Sequence, residues 1–327
     1  MSRKLRWGIL GCASIAKRAV IPGIHVSKSG ELVAIASRDY SKASQTASEY
    51  GIPKAHGSYE DLLADETIDA VYIPLPNHLH MEWTIRAAQA GKHVLCEKPL
   101  SLTAEEAEAM RQACERAGVQ LAEAFMYRYN PRNERIKEVL RSGEIGEIRG
   151  IHSSFTFNNT GNRNNVRFKR EWGGGSIYDI GCYPISAARL FLEQEPEAAT
   201  VHAFFSDTHG DVDMMASGLI EFQGGVALTF DCAMWAAPRN TLEILGSEGC
   251  IYMSPAFGGH DFTVTTKGES RIVATPEVNQ YALQADRFAD GVFGDTPLLF
   301  PPSDAVNNMR VIDACLKSAS ARTRILI

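Results

Sequence analysis

Short apolar runs alternate with amphipathic segments over the first 124 residues of the chain. The apolar runs predict five buried strands, at residues 5–10, 32–36, 69–73, 93–96 and 119–122. The segments between them have the apolar spacing, capping residues and terminal glycines of helices, although Pro22 is expected to interrupt the first one. Strands separated by helices of about 10–15 residues are typical of a parallel sheet covered on both faces. The pattern therefore predicts an α/β fold with a doubly wound parallel sheet.

From about residue 148 onwards the apolar runs are longer, and turns rich in Asn, Gly and Asp separate several of them. The predicted strands are 148–157, 200–205, 214–222, 226–232, 240–245, 249–253 and 262–266. Helices near 281–293 and 303–320 are expected to close the chain. This pattern indicates an α+β domain with a large, mostly antiparallel open sheet and helices on one face. We therefore expect one domain over residues 1–124 and a second over residues 125–327.

The composition is that of a globular protein, with 45% hydrophobic and 22% charged residues among 327. A formal net charge of −6 does not favour nucleic acid or an anionic membrane as a partner. The sequence has no apolar run of the ~20 residues that a membrane-spanning helix needs, and no signal-peptide core follows its basic start. Its seven cysteines are scattered without a C-x-x-C pair, as expected of free thiols. We therefore expect a cytoplasmic location.

A glycine turn follows the first predicted strand. The residues expected to contact a pyrophosphate there are Gly11, Cys12, Ala13, Ser14 and Ile15. In register with G-x-G-x-x-G/A, Gly11 permits the tight turn and Ala16 permits close helix–sheet packing, whereas Ala13 replaces the middle glycine. The turn predicts the dinucleotide-binding loop of a Rossmann fold, and a tight turn without a ligand is the alternative.

Ser37 and Arg38 follow the second predicted strand, where the residue that distinguishes NAD from NADP is expected. A hydroxyl and a guanidinium suit a 2′-phosphate, because arginine binds such a group through two hydrogen bonds. These residues therefore favour NADP over NAD. A shift of one residue would instead bring Asp39 to the ribose, and a solvated surface arginine is the other alternative.

Further segments resemble the Gfo/Idh/MocA oxidoreductases, whose cofactor domain has E-K-P after its fifth strand. The segments are Pro74–His80, Ala90–Cys96, Glu97–Pro99, Met126–Arg132 and Gly173–Tyr183. The resemblance spans at least residues 5–190 and is strongest to a branch of sugar and dihydrodiol enzymes. That branch holds NADP-dependent D-xylose 1-dehydrogenases, dimeric dihydrodiol dehydrogenases and glucose–fructose oxidoreductases. The resemblance implies cofactor contacts from the loops that follow the strands, namely from Pro74, Leu75, Asn77, His80, Glu97 and Lys98.

The same resemblance implies that Lys98 lies between the cofactor and the reacting carbon of the substrate. An alcohol that loses a hydride must also lose its hydroxyl proton, and a lysine amine can exchange that proton. Partial desolvation lowers the pKa of a lysine, and its ammonium form stabilises a developing oxyanion. Lys98 is therefore an expected catalytic residue. Pro99 permits the cis Lys98–Pro99 bond that is frequent in the family.

Asp179 and Tyr183 are four residues apart, so on a helix they share one face and can reach a common ligand. Pro184 is expected to break or kink that helix. Many relatives have D-x-x-x-H here, and Tyr183 replaces the histidine that shuttles protons. We expect Tyr183 to act as acid and base with Lys98 as its electrostatic partner, although the two roles are exchangeable. Asp179 is expected to orient a substrate hydroxyl or Lys98, and a purely structural Tyr–Asp pair is the alternative.

Two arginines are further candidates for substrate binding. Arg128 follows the last strand of the first domain, where a structural salt bridge is an equal alternative. Arg167 lies in an N-x-R segment that the branch often has, and is expected to line the sugar pocket. His78 and His80 have no further ligands at a recognised spacing, so no metal is expected.

The expected function is hydride transfer between NADP and a hydroxyl or carbonyl carbon of a sugar or related polyol, as in an aldose 1-dehydrogenase. A trans-dihydrodiol dehydrogenase and an anhydro-sugar reductase are the closest alternatives. An NADP-binding regulatory protein and a glycosidase that retains its nicotinamide cofactor represent other classes. The open sheet of the second domain is expected to join subunits into a homodimer or homotetramer.

Overall fold

A computed structural model of the protein describes residues 3–327. These residues form two compact units, and the chain passes between the units three times. The first unit extends to Tyr129 and also includes Asn279–Val306, and the second consists of Asn130–Val278 and Asn307–Ile327. This division differs from the single expected boundary at residues 124 and 125, because a late segment of the chain returns to the first unit.

In the described part of the chain, six parallel strands form the sheet of the first unit. They are β1 Leu5–Leu10, β2 Gly30–Ala36, β3 Lys54–His56, β4 Ala70–Ile73, β5 His93–Cys96 and β6 Leu121–Glu123. Their order across the sheet is β3-β2-β1-β4-β5-β6. This is the strand order of a Rossmann fold, and the predicted doubly wound parallel sheet is confirmed.

Helices flank both sheets, and local sequence determines several of their ends. They are α1 Ile21–Val26, α2 Tyr40–Tyr50, α3 Tyr59–Ala64, α4 His80–Gln89, α5 Ala104–Ala117, α6 Pro131–Arg141, α7 Cys182–Leu192, α8 Gln280–Phe293 and α9 Pro302–Ala321. The Thr103 side chain accepts a hydrogen bond from the Glu106 N–H at 3.2 Å, and Gly118 ends α5 with φ +66°. Within residues 3–327, no helix is both long and apolar enough to cross a membrane.

Five-residue π-helical segments precede α1 and α7, at Ala16–Val20 and Ile177–Gly181. Arg18 lies four positions before Pro22, and Ile180 lies four positions before Pro184. Both residues are inside the π-helical segments. Because proline has no N–H to donate, the carbonyl of that earlier residue has no normal partner, and the wider turn accommodates the proline ring. The helix therefore continues through Pro22, where an interruption was predicted, and through Pro184, where a break or kink was predicted, and the disturbance takes the form of a wider turn ahead of each proline.

One hydrophobic core of the first unit joins β1 and β2 to α8. Trp7 and Phe288 are fully buried in it, with ring centroids 5.3 Å apart. The Asp286 carboxylate on α8 also accepts a hydrogen bond from the Ser29 N–H at 2.8 Å. Burial of one such aromatic side chain contributes on the order of 2–3 kcal/mol. This packing explains why residues 279–306 belong to the first unit, although the sequence predicted α8 as part of the second.

The second unit contains a nine-stranded sheet among the residues described. Its strands are β7 Ile148–Asn158, β8 Ala198–Ser206, β9 Val212–Glu221, β10 Ala227–Ala233, β11 Trp235–Gly246, β12 Gly249–Met253, β13 Asp261–Thr266, β14 Glu269–Ala274 and β15 Ile325–Leu326. The order is β14-β13-β12-β11-β7-β10-β9-β8-β15, and every neighbouring pair is antiparallel except β7–β10. The predicted mostly antiparallel sheet is confirmed, and β14 and β15 extend it at its edges.

The nine-stranded sheet has one covered face and one exposed face. Helix α7 packs against β7 and β10. A row of directly paired residues crosses eight strands on the other face: Thr200, Leu219, Thr229, His152, Glu243, Tyr252, Thr263 and Ile272. Within this row Leu219, Tyr252 and Ile272 are 38%, 43% and 72% exposed. The single chain therefore leaves large apolar side chains uncovered on this face.

Candidate functional site

The parallel sheet of the first unit brings the loops after its strands to one edge. The Gly11 N–H donates to the carbonyl of Ala36 at 2.8 Å, and the Glu97 N–H donates to the carbonyl of Ile73 at 3.1 Å. These bonds join the loops after neighbouring strands. The same edge holds every residue predicted to bind the cofactor: Gly11, Cys12, Ala13, Ser14, Ile15, Ser37, Arg38, Pro74, Leu75, Asn77, His80, Glu97 and Lys98.

Gly11 has the backbone conformation that the predicted cofactor turn requires. Its φ is +110°, which strains any residue with a side chain, and a Cβ there would lie 3.2 Å from Leu75 Cδ2. The chain becomes helical from Ser14, so backbone N–H groups of a helix start at this edge. A glycine that permits close approach, followed by a helix N-terminus, fits the pyrophosphate of a dinucleotide.

Ser37, Arg38 and Asp39 adopt distinct roles at the end of β2. The Asp39 carboxylate caps α2, accepting hydrogen bonds from the N–H groups of Ser41 at 3.1 Å and Lys42 at 3.4 Å. The Ser37 hydroxyl oxygen accepts a hydrogen bond from the Asp39 N–H at 3.2 Å, and Arg38 is exposed. Because Asp39 is engaged by the helix, the arrangement favours Ser37 and Arg38 as the residues that face a ribose substituent.

Lys98 follows β5, and the Glu97 side chain holds its backbone. The Tyr72 hydroxyl donates to Glu97 Oε1 at 2.5 Å, while Glu97 Oε2 accepts a hydrogen bond from the Lys98 N–H at 3.1 Å. Burial raises the pKa of Tyr72 well above 10, so its hydroxyl stays a donor. The Lys98–Pro99 peptide bond is cis. Glu97 thus fixes the backbone from which the predicted catalytic amine extends.

His80 is fully buried between two of the loops at this edge. Its Nδ1 lies 3.0 Å from the carbonyl oxygen of Pro99, and its Nε2 lies 2.8 Å from that of Leu75. Burial lowers the pKa of His80 to about 4, although hydrogen bonding to these two carbonyls acts in the opposite direction. This position favours support of the two loops over the predicted contact with a cofactor. Among residues 3–327, no group of three or more His, Cys, Asp or Glu is arranged to hold a metal ion.

In the second unit, Arg167 and Asp179 form an ion pair. Arg167 Nε donates to Asp179 Oδ2 at 2.6 Å, and the two side chains are 38% and 14% exposed. Their backbones are joined through Gly175, whose N–H donates to the Arg167 carbonyl and whose carbonyl accepts from the Asp179 N–H, both at 3.1 Å. The structure therefore brings together two residues that the sequence predicted separately as substrate ligands.

Tyr183, near the start of α7, lies in an aromatic cluster. Its ring centroid is 5.3 Å from that of Phe155 and 5.1 Å from that of Phe257, and those two rings stack at 5.3 Å. The Asn240 side chain accepts hydrogen bonds from the Ala256 and Phe257 N–H groups at 3.0 and 3.1 Å, which fixes the loop that presents Phe257. Phe155 and Phe257 were not predicted from the sequence, because local patterns do not reveal which aromatic residues contact a helix.

Arg128 in the first unit is 6% exposed and pairs with Asp304. Its guanidinium carbon lies 5.1 Å from the ring centroid of Phe125 and 4.8 Å from that of Phe300. Two aromatic rings and a carboxylate thus enclose this guanidinium, and each is a favourable partner for its charge. This arrangement favours the structural salt bridge that the sequence left as an alternative to substrate binding.

Comparison with family models identifies the class of protein. Residues 5–125 match the Gfo/Idh/MocA model, described as an oxidoreductase family with an NAD-binding Rossmann fold. Residues 133–252 match the C-terminal domain of the same family. The chain therefore belongs to the Gfo/Idh/MocA oxidoreductases, and the resemblance inferred from its motifs is confirmed.

Individual relatives cover almost the whole chain. The D-xylose 1-dehydrogenase (NADP(+)) 2 of Haloferax volcanii is 40% identical over 322 residues, which are 96% of this chain and 97% of that protein. The aldose–aldose oxidoreductase of Caulobacter crescentus, solved with glycerol, has a TM-score of 0.93 at 28% identity and covers 99% of this chain and 100% of its own. The 3-ketoreductase KijD10 of Actinomadura kijaniata, solved with NADP and TDP-benzene, has a TM-score of 0.91 at 31% identity. The match covers 97% of this chain and 98% of the ketoreductase chain. The chain is thus an NAD(P)-dependent oxidoreductase.

Proposed function

We propose that the protein transfers a hydride between NADP and a hydroxyl or carbonyl carbon of a sugar or related polyol. The observation that supports this most directly is Lys98 at the carboxyl edge of the Rossmann sheet, with its backbone held by Glu97. A relative named as an NADP-dependent xylose dehydrogenase matches 96% of the sequence, and an aldose–aldose oxidoreductase shares the fold over 99% of the chain. The combination favours an aldose 1-dehydrogenase-like activity.

The residues at the ends of β1 and β2 would hold NADP. Gly11 leaves room for the pyrophosphate, and Ser37 and Arg38 would bind the 2′-phosphate. The bound cofactor supplies or accepts the hydride. The Asp39 carboxylate caps α2 and lies 3.7 Å from Lys42 Nζ, and both contacts offset part of its repulsion of a phosphate at the ribose. The ketoreductase neighbour was solved with NADP, which supports the same choice.

Tyr183 would donate or accept the proton that accompanies the hydride, and Lys98 would stabilise the charge that this transfer leaves. In the reductive direction, the Tyr183 hydroxyl donates its proton to the substrate oxygen, and the Lys98 ammonium stabilises the resulting tyrosinate. In the oxidative direction, the Tyr183 oxygen takes the proton of the substrate hydroxyl. The Asp179–Arg167 pair offers an acceptor and donors to neighbouring substrate hydroxyls. Solved variants of the ketoreductase replace one lysine or one tyrosine, which are the same two residue types.

A trans-dihydrodiol dehydrogenase is the second candidate, and the aromatic cluster is the observation that favours it. Phe155 and Phe257 surround Tyr183 with apolar rings that would suit an aromatic diol. The trans-1,2-dihydrobenzene-1,2-diol dehydrogenase of Xenopus laevis is 31% identical over 278 residues, which are 84% of this chain and 82% of that protein. An anhydro-sugar substrate remains a third option for the same chemistry.

An absorbance assay of nicotinamide reduction tests the proposal. NADP and NAD are each combined with aldoses, polyols, an anhydro-sugar and a trans-dihydrodiol, and turnover with NADP and one of these substrates is expected. NADP binding without turnover of any of them would contradict the proposal and favour the regulatory alternative. Lys98→Met should lower kcat at least ~10²-fold, whereas Lys28→Met, at an exposed lysine of the same unit, should change it less than about twofold. Near-normal turnover of Lys98→Met would remove Lys98 from the mechanism.

We also propose that the exposed face of the nine-stranded sheet joins two copies of the chain, in a homodimer or homotetramer in the cytoplasm. The uncovered side chains of Leu219, Tyr252 and Ile272 support such burial. Sedimentation equilibrium should give a mass of two or four chains. Ile272→Lys should lower it to one chain or weaken the association, and a monomeric wild type would contradict the proposal.

A further inference from the structure

Asp213 is a buried carboxylate that the proposed chemistry does not use. It lies on β9 with 2% of its surface exposed. Its Oδ2 accepts two hydrogen bonds, from the Ser176 hydroxyl and from the Ile177 N–H, both at 2.7 Å. A carboxylate removed from water is unfavourable unless hydrogen bonds compensate it, and here both donors come from one short segment. Asp213 therefore joins β9 to the segment that begins at Gly175.

Gly175 connects Asp213 with the residues proposed to bind substrate. It has φ +124°, and a Cβ at this position would collide with the Asp213 carboxylate. The N–H and carbonyl groups of the same glycine hydrogen bond to the backbones of Arg167 and Asp179. The residue that packs directly against Asp213 thus holds both members of the Arg167–Asp179 pair.

A second contact from the sheet reinforces this attachment. The Cys232 thiol on β10 donates to Ser176 Oγ at 3.4 Å, next to the bond from Ser176 to Asp213. At the other end of the π-helical segment, a Cβ on Gly181 would lie 3.1 Å from Cys232 Sγ. Close approach at both ends leaves residues 175–181 little freedom to move relative to β9 and β10.

We propose that Asp213 is a positioning residue that anchors the segment bearing the Arg167–Asp179 pair and leading into Tyr183. The inference rests on the proposed function, in which Asp179 and Tyr183 act on the substrate. A carboxylate suits this task better than an amide, because Oδ2 accepts two bonds while Oδ1 fills the space beside Gly175. Asparagine has one oxygen only, so with that oxygen in the place of Oδ2 its NH₂ group would take the place of Oδ1 beside Gly175.

Kinetics of Asp213→Asn and Ser176→Ala test the proposal, with Ser318→Ala as the matched control. Ser318 is also fully buried in the second unit, where its hydroxyl accepts from the Val201 N–H at 2.9 Å and donates to the Thr323 carbonyl at 2.6 Å. Asp213→Asn and Ser176→Ala should lower kcat per NADP-binding site at least ~10-fold, with KM for NADP changed less than about twofold. Ser318→Ala should lose stability without this loss of kcat. Equal kcat in all three variants would overturn the proposal.

Hydrogen exchange without substrate separates this proposal from the proposed function. Amides of residues 175–183 should exchange faster in Asp213→Asn and Ser176→Ala than in the wild type, and Ser318→Ala should leave them unchanged. Unchanged exchange there in both test variants would show that Asp213 does not anchor the segment. If the wild type turns over no polyol but this exchange accelerates, the proposed function fails and the anchoring by Asp213 stands. Where Asp213→Asn does not fold, Ser176→Ala decides both measurements.

Discussion

The burial of Asp213 predicts a pH dependence of stability with an unusual sign. Burial raises the pKa of Asp213 to about 6 in the folded protein, from 3.8 for an unperturbed aspartate. Between these values the folded state binds a proton more tightly than the unfolded state does. The free energy of unfolding from this group therefore decreases as pH rises from about 4 to about 6, and stays lower above that range.

The size of the effect follows from the shift. A difference of about two pKa units corresponds to about 3 kcal/mol, which is a sizeable fraction of the 5–15 kcal/mol typical of a whole protein. Asp213→Asn removes the titrating group. The difference in free energy of unfolding, wild type minus Asp213→Asn, should therefore fall by about 3 kcal/mol between pH ~3 and pH ~7.

Urea unfolding at several pH values across this range measures that difference. The contributions of the other titrating groups to the free energy of unfolding cancel, because both proteins contain these groups. Asp69→Asn is the control of opposite sign. Burial raises the pKa of Asp69, but hydrogen bonds and charge from Arg6 outweigh it, so the pKa lies below its usual value. Its contribution is present above the unfolded pKa and is lost as pH falls. A difference for Asp213→Asn that is constant or rises with pH would refute the reasoning.

Three further predictions concern the cofactor, the aromatic cluster and a helix end. Arg38→Ala should raise KM for NADP at least ~10-fold in initial-rate assays and leave KM for NAD within about twofold, whereas equal changes would exclude Arg38 from the phosphate site. Phe257→Leu should destabilise the protein by about 1–3 kcal/mol in urea and lower kcat, because it removes ring contacts to Tyr183. Phe230→Leu, equally buried over Gly218, should lower stability only, and equal kcat values in the two variants would contradict this role for Phe257. Thr103→Ala should lose about 1 kcal/mol in the same unfolding assay, and an unchanged value would mean that this cap does not stabilise α5.

The sequence predicted most strands of the first unit because each of these strands is a short apolar run with a turn or cap beside it. The sequence signals that predict where an element begins and ends are local. In helix α5, for example, the Thr103 cap and the Gly118 end are both apparent from neighbouring residues. Strand β3 was missed, because Lys54–His56 is three residues long, polar and paired only at the edge of the sheet. Pairing with β2 determines its conformation, and no local pattern reports that pairing.

Tertiary partners were the main information that the sequence did not supply. The amphipathic pattern of α8 predicts a helix but not the surface that it covers, so the segment was expected in the second domain. Its association with Trp7 through Phe288 becomes apparent only in the folded chain. The π-helical turns before Pro22 and Pro184 are similar cases, because a proline predicts a disturbance of the helix without fixing how the chain absorbs it.

The two parts of the candidate site differed in predictability for a physical reason. In the first unit, residues such as Gly11 and Lys98 follow parallel strands, and the ends of parallel strands meet at one edge whatever the remaining sequence. In the second unit, Asp213 reaches Ser176 through the packing of a π-helical turn on an antiparallel sheet. One signal was available: an aspartate within the apolar run of β9, where an unpaired carboxylate is unfavourable, predicts a buried hydrogen-bonding partner.

Buried polar groups in both units share one feature, which indicates how stability and function are balanced. His80, Tyr72 and Asp213 are each removed from water, and each has its polar atoms against a segment that bears a predicted site residue. An apolar side chain of similar volume would avoid the desolvation of these groups but could not hold those backbone segments. Because each group fixes a loop or turn that no regular ladder of hydrogen bonds stabilises, we infer that they are retained for the geometry of the site. The kinetic and hydrogen-exchange measurements on Asp213 test this inference for the group whose contacts to a site segment are the most numerous of the three described.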